Sequence, residues 1–184
     1  MLNWQEADDF QLIQIAQEGN AEAFGEIYER YAQQVFRFLY AHLDNRLDAE
    51  DLTEEVFLRV WQSISNFREQ GAPFIAFLFR IARNALIDHY RHIGKAKPQV
   101  SVEDVTLRDA NPGPGDLVAA SIEHEEIQDV MEQLREDYRT VLVLRFLSEL
   151  SPEETALAMG RSTGAVRVLQ HRALAALRVL LEAS

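Results

Sequence analysis

Residues 150–181 read LSPEETALAMGRSTGAVRVLQHRALAALRVLL, and no other stretch limits the fold as tightly. Ser151 can cap a helix, Pro152 suits its first position, and Glu154 can close a capping box with Ser151. Met159 and Gly160 end that helix, because glycine tolerates the left-handed conformation that a tight turn needs. Ser162 can cap a second helix after a short turn. At helical spacing Val166, Leu169, Ala173, Leu177 and Leu180 share one face, and Arg167, Val168, His171, Ala175 and Arg178 point the other way. Ala156 is small where the two helices would cross. The pattern is a helix-turn-helix whose second helix can enter a DNA major groove. An ordinary αα-hairpin with solvated charges needs no such combination of small Ala, turn Gly and inward Val. Arg161, Arg167, Arg172 and Arg178 also lie in a run without a single acid, from residue 161 to 181.

That basic run stands out because the whole chain of 184 residues carries a net charge of −12. An acidic sum opposes nucleic-acid binding, but the distribution of charge decides where a phosphate can dock. A second basic island lies at residues 72–97, where Arg80, Arg83, Arg91, Lys95 and Lys97 face Asp88 alone. Residues 98–137 are acidic, with only Arg108 and Arg135 in opposition. Two islands in an acidic body imply two separate phosphate contacts.

Several classes are disfavoured. With no cysteine there is neither a disulfide nor a thiolate metal site. No apolar run is long enough to span a bilayer, so no membrane insertion is expected. The N-terminus, MLNWQEADDF, is too acidic for a secretory signal, and the expected location is the cytoplasm. His89 and His92 lack a convergent third ligand, so no metal and no cofactor are expected. No nucleophile–base pair or phosphate-cradling glycine loop rises above chance, which argues against an enzyme and against a small-molecule substrate.

Read in order, the chain is all-α, with two small helical domains joined by a flexible linker. Asp8 or Asp9 caps a short helix that Gly19 stops. A second helix runs from about Ala21 to Leu43, with Ala23, Phe24, Ile27, Tyr31, Val35, Phe38 and Leu39 on its apolar stripe. Asp48 caps a third, whose buried side is Leu52, Val56, Phe57, Val60 and Ile64. Its opposite side carries Asp51, Glu54, Glu55, Leu58 and Gln62, an acidic stripe with one apolar residue that suits a basic protein partner. On periodicity alone, a plain solvated face explains that stripe somewhat better. Gly71 and Pro73 break the chain into a loop. A fourth helix, from about Phe74 to His92, turns Leu78, Ile81, Ala82, Ala85 and Leu86 inward. Arg80, Asn84, Ile87 and Arg91 form another face, with Arg83 beside it, fit for phosphates and base edges. Phe67 and Phe74 flank the loop, where an unpaired base could stack. Residues 94–120 carry the helix breakers Pro98, Pro112, Gly113, Pro114 and Gly115 and read as an acidic linker between domains 1–93 and 121–184. Helix resumes near Ser121, and Asp137 caps the next helix, YRTVLVLRFL.

With these residues in place, the chain resembles the extracytoplasmic-function class of sigma factors, small members of the bacterial sigma-70 family. Three stretches carry the resemblance: DAEDLTEEVFLRVW at 48–61, FREQGAPFIAFLFRIARNALIDHYR at 67–91, and LREDYRTVLVLRFLSELSPEETALAMGRSTGAVRVLQHRAL at 134–174. The resemblance implies a protein that binds RNA polymerase core and directs it to promoter DNA. It makes Asp51, Glu54, Glu55, Leu58 and Gln62 a polymerase-binding face. It assigns the minus-ten element to the loop from Arg68 to Phe74 and to Phe77, Arg80, Arg83, Asn84 and Arg91. The minus-thirty-five element falls to Arg167, His171 and Arg172, with Arg161, Ser162 and Thr163 near the backbone. An anti-sigma partner is expected by the same analogy. Glu54 stands where relatives often carry Gln, Phe77 where they carry Trp, and Leu169-Gln170 where many have Arg-Leu. Leu169 faces inward, so no base contact is carried over to it. The competing reading is a conventional helix-turn-helix regulator that binds DNA alone, with residues 1–93 sensing a signal or dimerising.

Overall fold

The computed structural model describes residue 4 and residues 6–43, 45–94 and 124–183. Apart from Gly94, the expected linker lies outside the described residues, as do residues 121–123. Eight α-helices and no strand occur among the described residues. Helices α1 (Asp9–Gln17), α2 (Ala21–Tyr40), α3 (Arg46–Ser63) and α4 (Phe74–His92) form an N-terminal unit. Helices α5 (His124–Gln133), α6 (Glu136–Leu142), α7 (Pro152–Met159) and α8 (Thr163–Ala183) form a C-terminal one.

Local chemistry sets most boundaries. The Asp8 carboxylate accepts from the Gln11 amide at 2.8 Å while Gln11 reaches back to the Asp8 amide, so α1 starts on a full capping box. Gly19 ends it at a φ of 89°. Asn20 caps α2 through the Ala23 amide. This helix stops at Tyr40, three residues before the expected end, and Leu43 is buried from the following turn. The expected Asp48 cap is corrected: Asn45 accepts from the Leu47 amide at 2.8 Å, and α3 begins two residues ahead of Asp48. Asp137 does not cap α6 either. That helix starts at Glu136 after Arg135, with no side-chain cap, and Asp137 lies within its first turn. Beyond Leu142 the helix widens into a π-helical turn, Val143–Leu147, closed by the Ser148 amide on the Val143 carbonyl at 2.9 Å.

Leu12, Ile27, Phe38, Leu39, Leu78, Phe79 and Leu86 are fully buried in the N-terminal unit, and Leu144 and Leu150 in the other. Each such side chain contributes about 1.5–3 kcal/mol by leaving water. The two units dock rather than stand apart, and their cores run together as one apolar cluster. The most extensive helix–helix contact among the described residues joins α4 to α7 across the seam. Three polar bonds reinforce it. The Arg80 guanidinium donates to the Leu157 carbonyl at 3.1 Å, and the Gln34 amide donates to the Ser148 carbonyl. The buried His42 Nε2 lies 3.2 Å from the Thr140 hydroxyl. His42 Nδ1 lies 2.7 Å from the Phe38 carbonyl, which can only accept, so Nδ1 carries a proton.

Candidate nucleic-acid and protein interfaces

The helix-turn-helix is built as its sequence implies. The Ser151 hydroxyl accepts from the Glu154 amide at 3.0 Å, and the Glu154 carboxylate accepts from the Ser151 amide at 2.7 Å. Gly160 caps α7 at a φ of 65°, and its amide and that of Arg161 bond back onto α7. Ser162 then starts α8 by accepting from the Ala165 amide at 3.1 Å. Ala156 is buried at the crossing, and Val166, Leu169, Ala173 and Ala176 form the inward edge of α8. That edge leaves Arg161, Ser162, Arg167, His171 and Arg172 exposed on one end of the unit, with Thr163 half-buried. Arg167 is 68% exposed and pairs loosely with Glu153 at 3.6 Å. Gln170 is held elsewhere, accepting from Arg145 Nε at 2.9 Å. Arg145 also donates to the Leu150 carbonyl, so Gln170 braces the turn after α6.

On α4, Arg80, Asn84 and Arg91 are exposed and Arg83 is half-buried. Burial, with Arg161 adding to it, lowers the pKa of Arg83 below the ordinary arginine value, against the opposing pull of Glu136 and Asp137. Arg80 of the first basic island reaches the helix-turn-helix itself, at the Leu157 carbonyl of α7. The loop before α4 is pinned: Gln17 Nε2 donates to the Ile64 and Phe67 carbonyls at 2.9 and 2.8 Å. Arg68 donates to the Ser65 and Phe67 carbonyls, both at 2.8 Å. The stacking role expected of Phe67 and Phe74 is corrected. They are only 6% and 4% exposed and meet edge-on at 5.7 Å, with Tyr31 on the far side of Phe74. Phe74 opens α4 directly after Pro73, which turns its ring into the core. Phe77 is only half-buried and tilts against Phe67 at 4.9 Å.

On α3, Asp51, Glu54, Glu55, Leu58 and Gln62 are all exposed, and Leu58 is 56% so. Glu55 shares Arg59 with Asp88, at 2.6 and 2.9 Å. The Asp88 bond, with that of Glu55 behind it, raises the pKa of Arg59 above the ordinary arginine value. Beside Leu58 runs an apolar groove lined by Ala21, Phe24, Phe57 and Trp61. The Phe24 and Trp61 rings are 4.8 Å apart. Sequence reasoning does not name Trp61 or Phe24 as site residues: Phe24 lies on the apolar stripe of α2, which reads as core, and Trp61 is assigned to neither face of α3. No group of three metal-binding side chains and no membrane-length apolar helix occurs among the described residues.

Two family models match this arrangement: Sigma-70 region 2 over residues 27–95 and Sigma-70 region 4 over residues 124–177. The ECF RNA polymerase sigma factor BldN of Streptomyces coelicolor is 37% identical over 174 residues, spanning 93% of this chain and 65% of BldN. The ECF RNA polymerase sigma factor SigD of Mycobacterium tuberculosis is 35% identical over 166 residues, or 87% of this chain and 77% of SigD.

The chain belongs to the extracytoplasmic-function sigma factors.

The fold agrees. CnrH, solved in complex with the cytosolic domain of CnrY, superposes with a TM-score of 0.74 at 27% identity, over 96% of this chain and 98% of CnrH. Region 2 of this sigma factor thus carries the α3 stripe and α4, and region 4 carries the helix-turn-helix.

Proposed function

We propose that this sigma factor grips core RNA polymerase with the α3 stripe and places α4 and α8 on the minus-ten and minus-thirty-five elements of a promoter. The carrying observation is Leu58, exposed among Asp51, Glu54 and Glu55 and continuous with the Trp61–Phe24 groove. Acids steer a basic partner helix into register, and the apolar groove supplies the desolvated contact that holds it. Arg167, His171 and Arg172 read bases from α8, with Arg161, Ser162 and Thr163 on the backbone. Arg68, Phe77, Arg80, Arg83, Asn84 and Arg91 serve the minus-ten element. We divide the chain for these tasks at 1–93, 94–120 and 121–184.

Bond-making stays with the polymerase, so the chain is an initiation factor and not an enzyme, and it works in the bacterial cytoplasm where its polymerase is. CnrH was solved with the cytosolic domain of CnrY, which supports an anti-sigma partner for this chain as well. The decisive experiment is run-off transcription from a genomic fragment library with core polymerase, with and without the protein. Discrete new transcripts that weaken with Arg167→Ala support the reading. Tight, specific DNA binding by the protein alone, unaffected by polymerase, would favour the stand-alone regulator.

A further inference from the structure

A polar tie from outside the helix-turn-helix grips the flank of the recognition helix. Arg145, half-buried in the π-helical turn, donates from Nε to the Gln170 side chain of α8 at 2.9 Å. A guanidinium can only donate, so the Gln170 atom it meets is the amide oxygen. A second nitrogen of the same guanidinium donates to the Leu150 carbonyl. Leu150 is fully buried, and its amide returns to the Leu144 carbonyl at 2.9 Å. One planar fork therefore joins three pieces: the turn after α6, the entry to α7 and the first half of α8.

Two unusual backbone features meet at this fork. The helix widens into a π turn at Val143–Leu147, and Glu149 takes a left-handed conformation at a φ of 57°. Such geometry costs energy and persists where the surroundings hold it. Here it brings the Arg145 fork and the Leu150 carbonyl together.

The bond to Gln170 acts at the level of the side chains assigned to bases. Gln170 follows Arg167 by three residues and precedes His171 by one, about 4.5 and 1.5 Å along the axis. Apolar packing through Val166, Leu169, Ala173 and Ala176 holds α8 down, but it has no direction of its own. A roll of about 20° moves a side-chain tip ~6 Å from the axis by about 2 Å, more than a hydrogen bond to a base edge tolerates. A directed bond on the flank restrains that roll.

We propose that Arg145 is a positioning residue for promoter reading, and that its bond to Gln170 sets the roll at which α8 presents Arg167 and His171 to the major groove. This rests on the sigma-factor reading of α8.

The test uses the full-length protein with core polymerase and a promoter recovered by the run-off screen, randomised across its minus-thirty-five element. Base preference at each position is the enrichment of the best base over the others. Positions that lose preference in Arg167→Ala define what that arginine reads. Arg145→Met cuts the tie but also strips the Leu150 carbonyl of its partner, so Gln170→Leu is the deciding variant: it keeps the side-chain size and removes only the acceptor. Gln170→Leu is expected to lower preference at those positions about fivefold, with core binding and the circular dichroism melt unchanged. In an Arg167→Ala background it should have no further effect there, because it acts through that side chain. Gln170→Glu keeps an acceptor for Arg145 and should retain the wild-type preference, while its charge weakens binding to all sequences alike. Unchanged preference in Gln170→Leu, a loss uniform over all sequences, or an effect that adds to that of Arg167→Ala would overturn the proposal. If Arg167→Ala itself alters no position, or the wild type yields no transcripts with core polymerase, the sigma-factor reading of α8 fails and this inference with it.

Discussion

Glu149 holds a φ of 57°, the one non-glycine residue with positive φ among those described. It lies where the chain leaves the π-helical turn and swings into α7, a place where a side chain crowds its own carbonyl. Glu149→Gly should stabilise the protein by about 1 kcal/mol, read as a higher midpoint in urea, since the relieved strain exceeds the added chain entropy. An unchanged midpoint would mean the turn relaxes without glycine. Tyr31 offers a second residue-scale test. Its hydroxyl donates to Asp9, which also accepts from Arg30 at 2.8 Å. Burial, then this bond, then the Asp9 charge push the Tyr31 phenol well above its ordinary range. The fold therefore favours the neutral phenol. Its contribution is complete below about pH 10 and is lost as the pH rises toward the raised value. Tyr31→Phe should cost about 1 kcal/mol at neutral pH and flatten the decline in stability above pH 10. A wild type and variant with parallel curves in alkali would show that the phenol does not report on folding.

The elements show what a sequence can and cannot carry. Periodicity and caps suffice for α1, α7 and α8, because each of these helices starts on a local bond between residues three apart, such as Ser151 with Glu154, while Pro73 alone marks the start of α4. For α3 the local pattern points to Asp48, whereas Asn45, three residues earlier and not singled out by periodicity, holds the cap. The competition is settled by which side chain reaches an amide in the packed structure. Phe74 departs from its expected exposure for a related reason. Its place beside a loop suggests exposure, yet the turn at Pro73 aims it at Tyr31 and Phe67. The α3 stripe was legible as a face, but its groove was not, because Phe24 of α2 comes from another helix to stand against Trp61. This juxtaposition makes a prediction for α3 as a unit. Leu58→Glu, on a residue that is 56% exposed, should leave the unfolding free energy within about 0.5 kcal/mol of wild type. The same change should weaken core polymerase binding by about 2 kcal/mol or more, because it puts a charge into the centre of a desolvated contact. Equal polymerase binding by both proteins, measured by titration at fixed salt, would remove Leu58 from the interface.

At the scale of the molecule, the seam is what the sequence could not reveal. His42 and Thr140 are 98 positions apart, and neither belongs to a pattern that would single it out. The seam also joins two cores that periodicity treats as independent. Coupled cores melt together, since exposing one face of the seam costs apolar burial on both sides. The chain provides a direct way to see this. Its two tryptophans, Trp4 and Trp61, both lie in the N-terminal unit, whereas helical circular dichroism reports on both units. In the wild type the fluorescence and dichroism melts should coincide. Combining Gln34→Ala with Arg80→Ala removes two hydrogen bonds that cross the seam. In that variant the dichroism curve should split, with a transition that fluorescence does not follow. Fluorescence would still report a single melt, because the Phe24–Trp61 contact lies away from the seam. Curves already separated in the wild type would mean that each unit is stable by its own packing and that the seam contributes little. Curves that stay superimposed in the double variant would place the coupling in the apolar contact of α4 with α7, and not in its polar bonds.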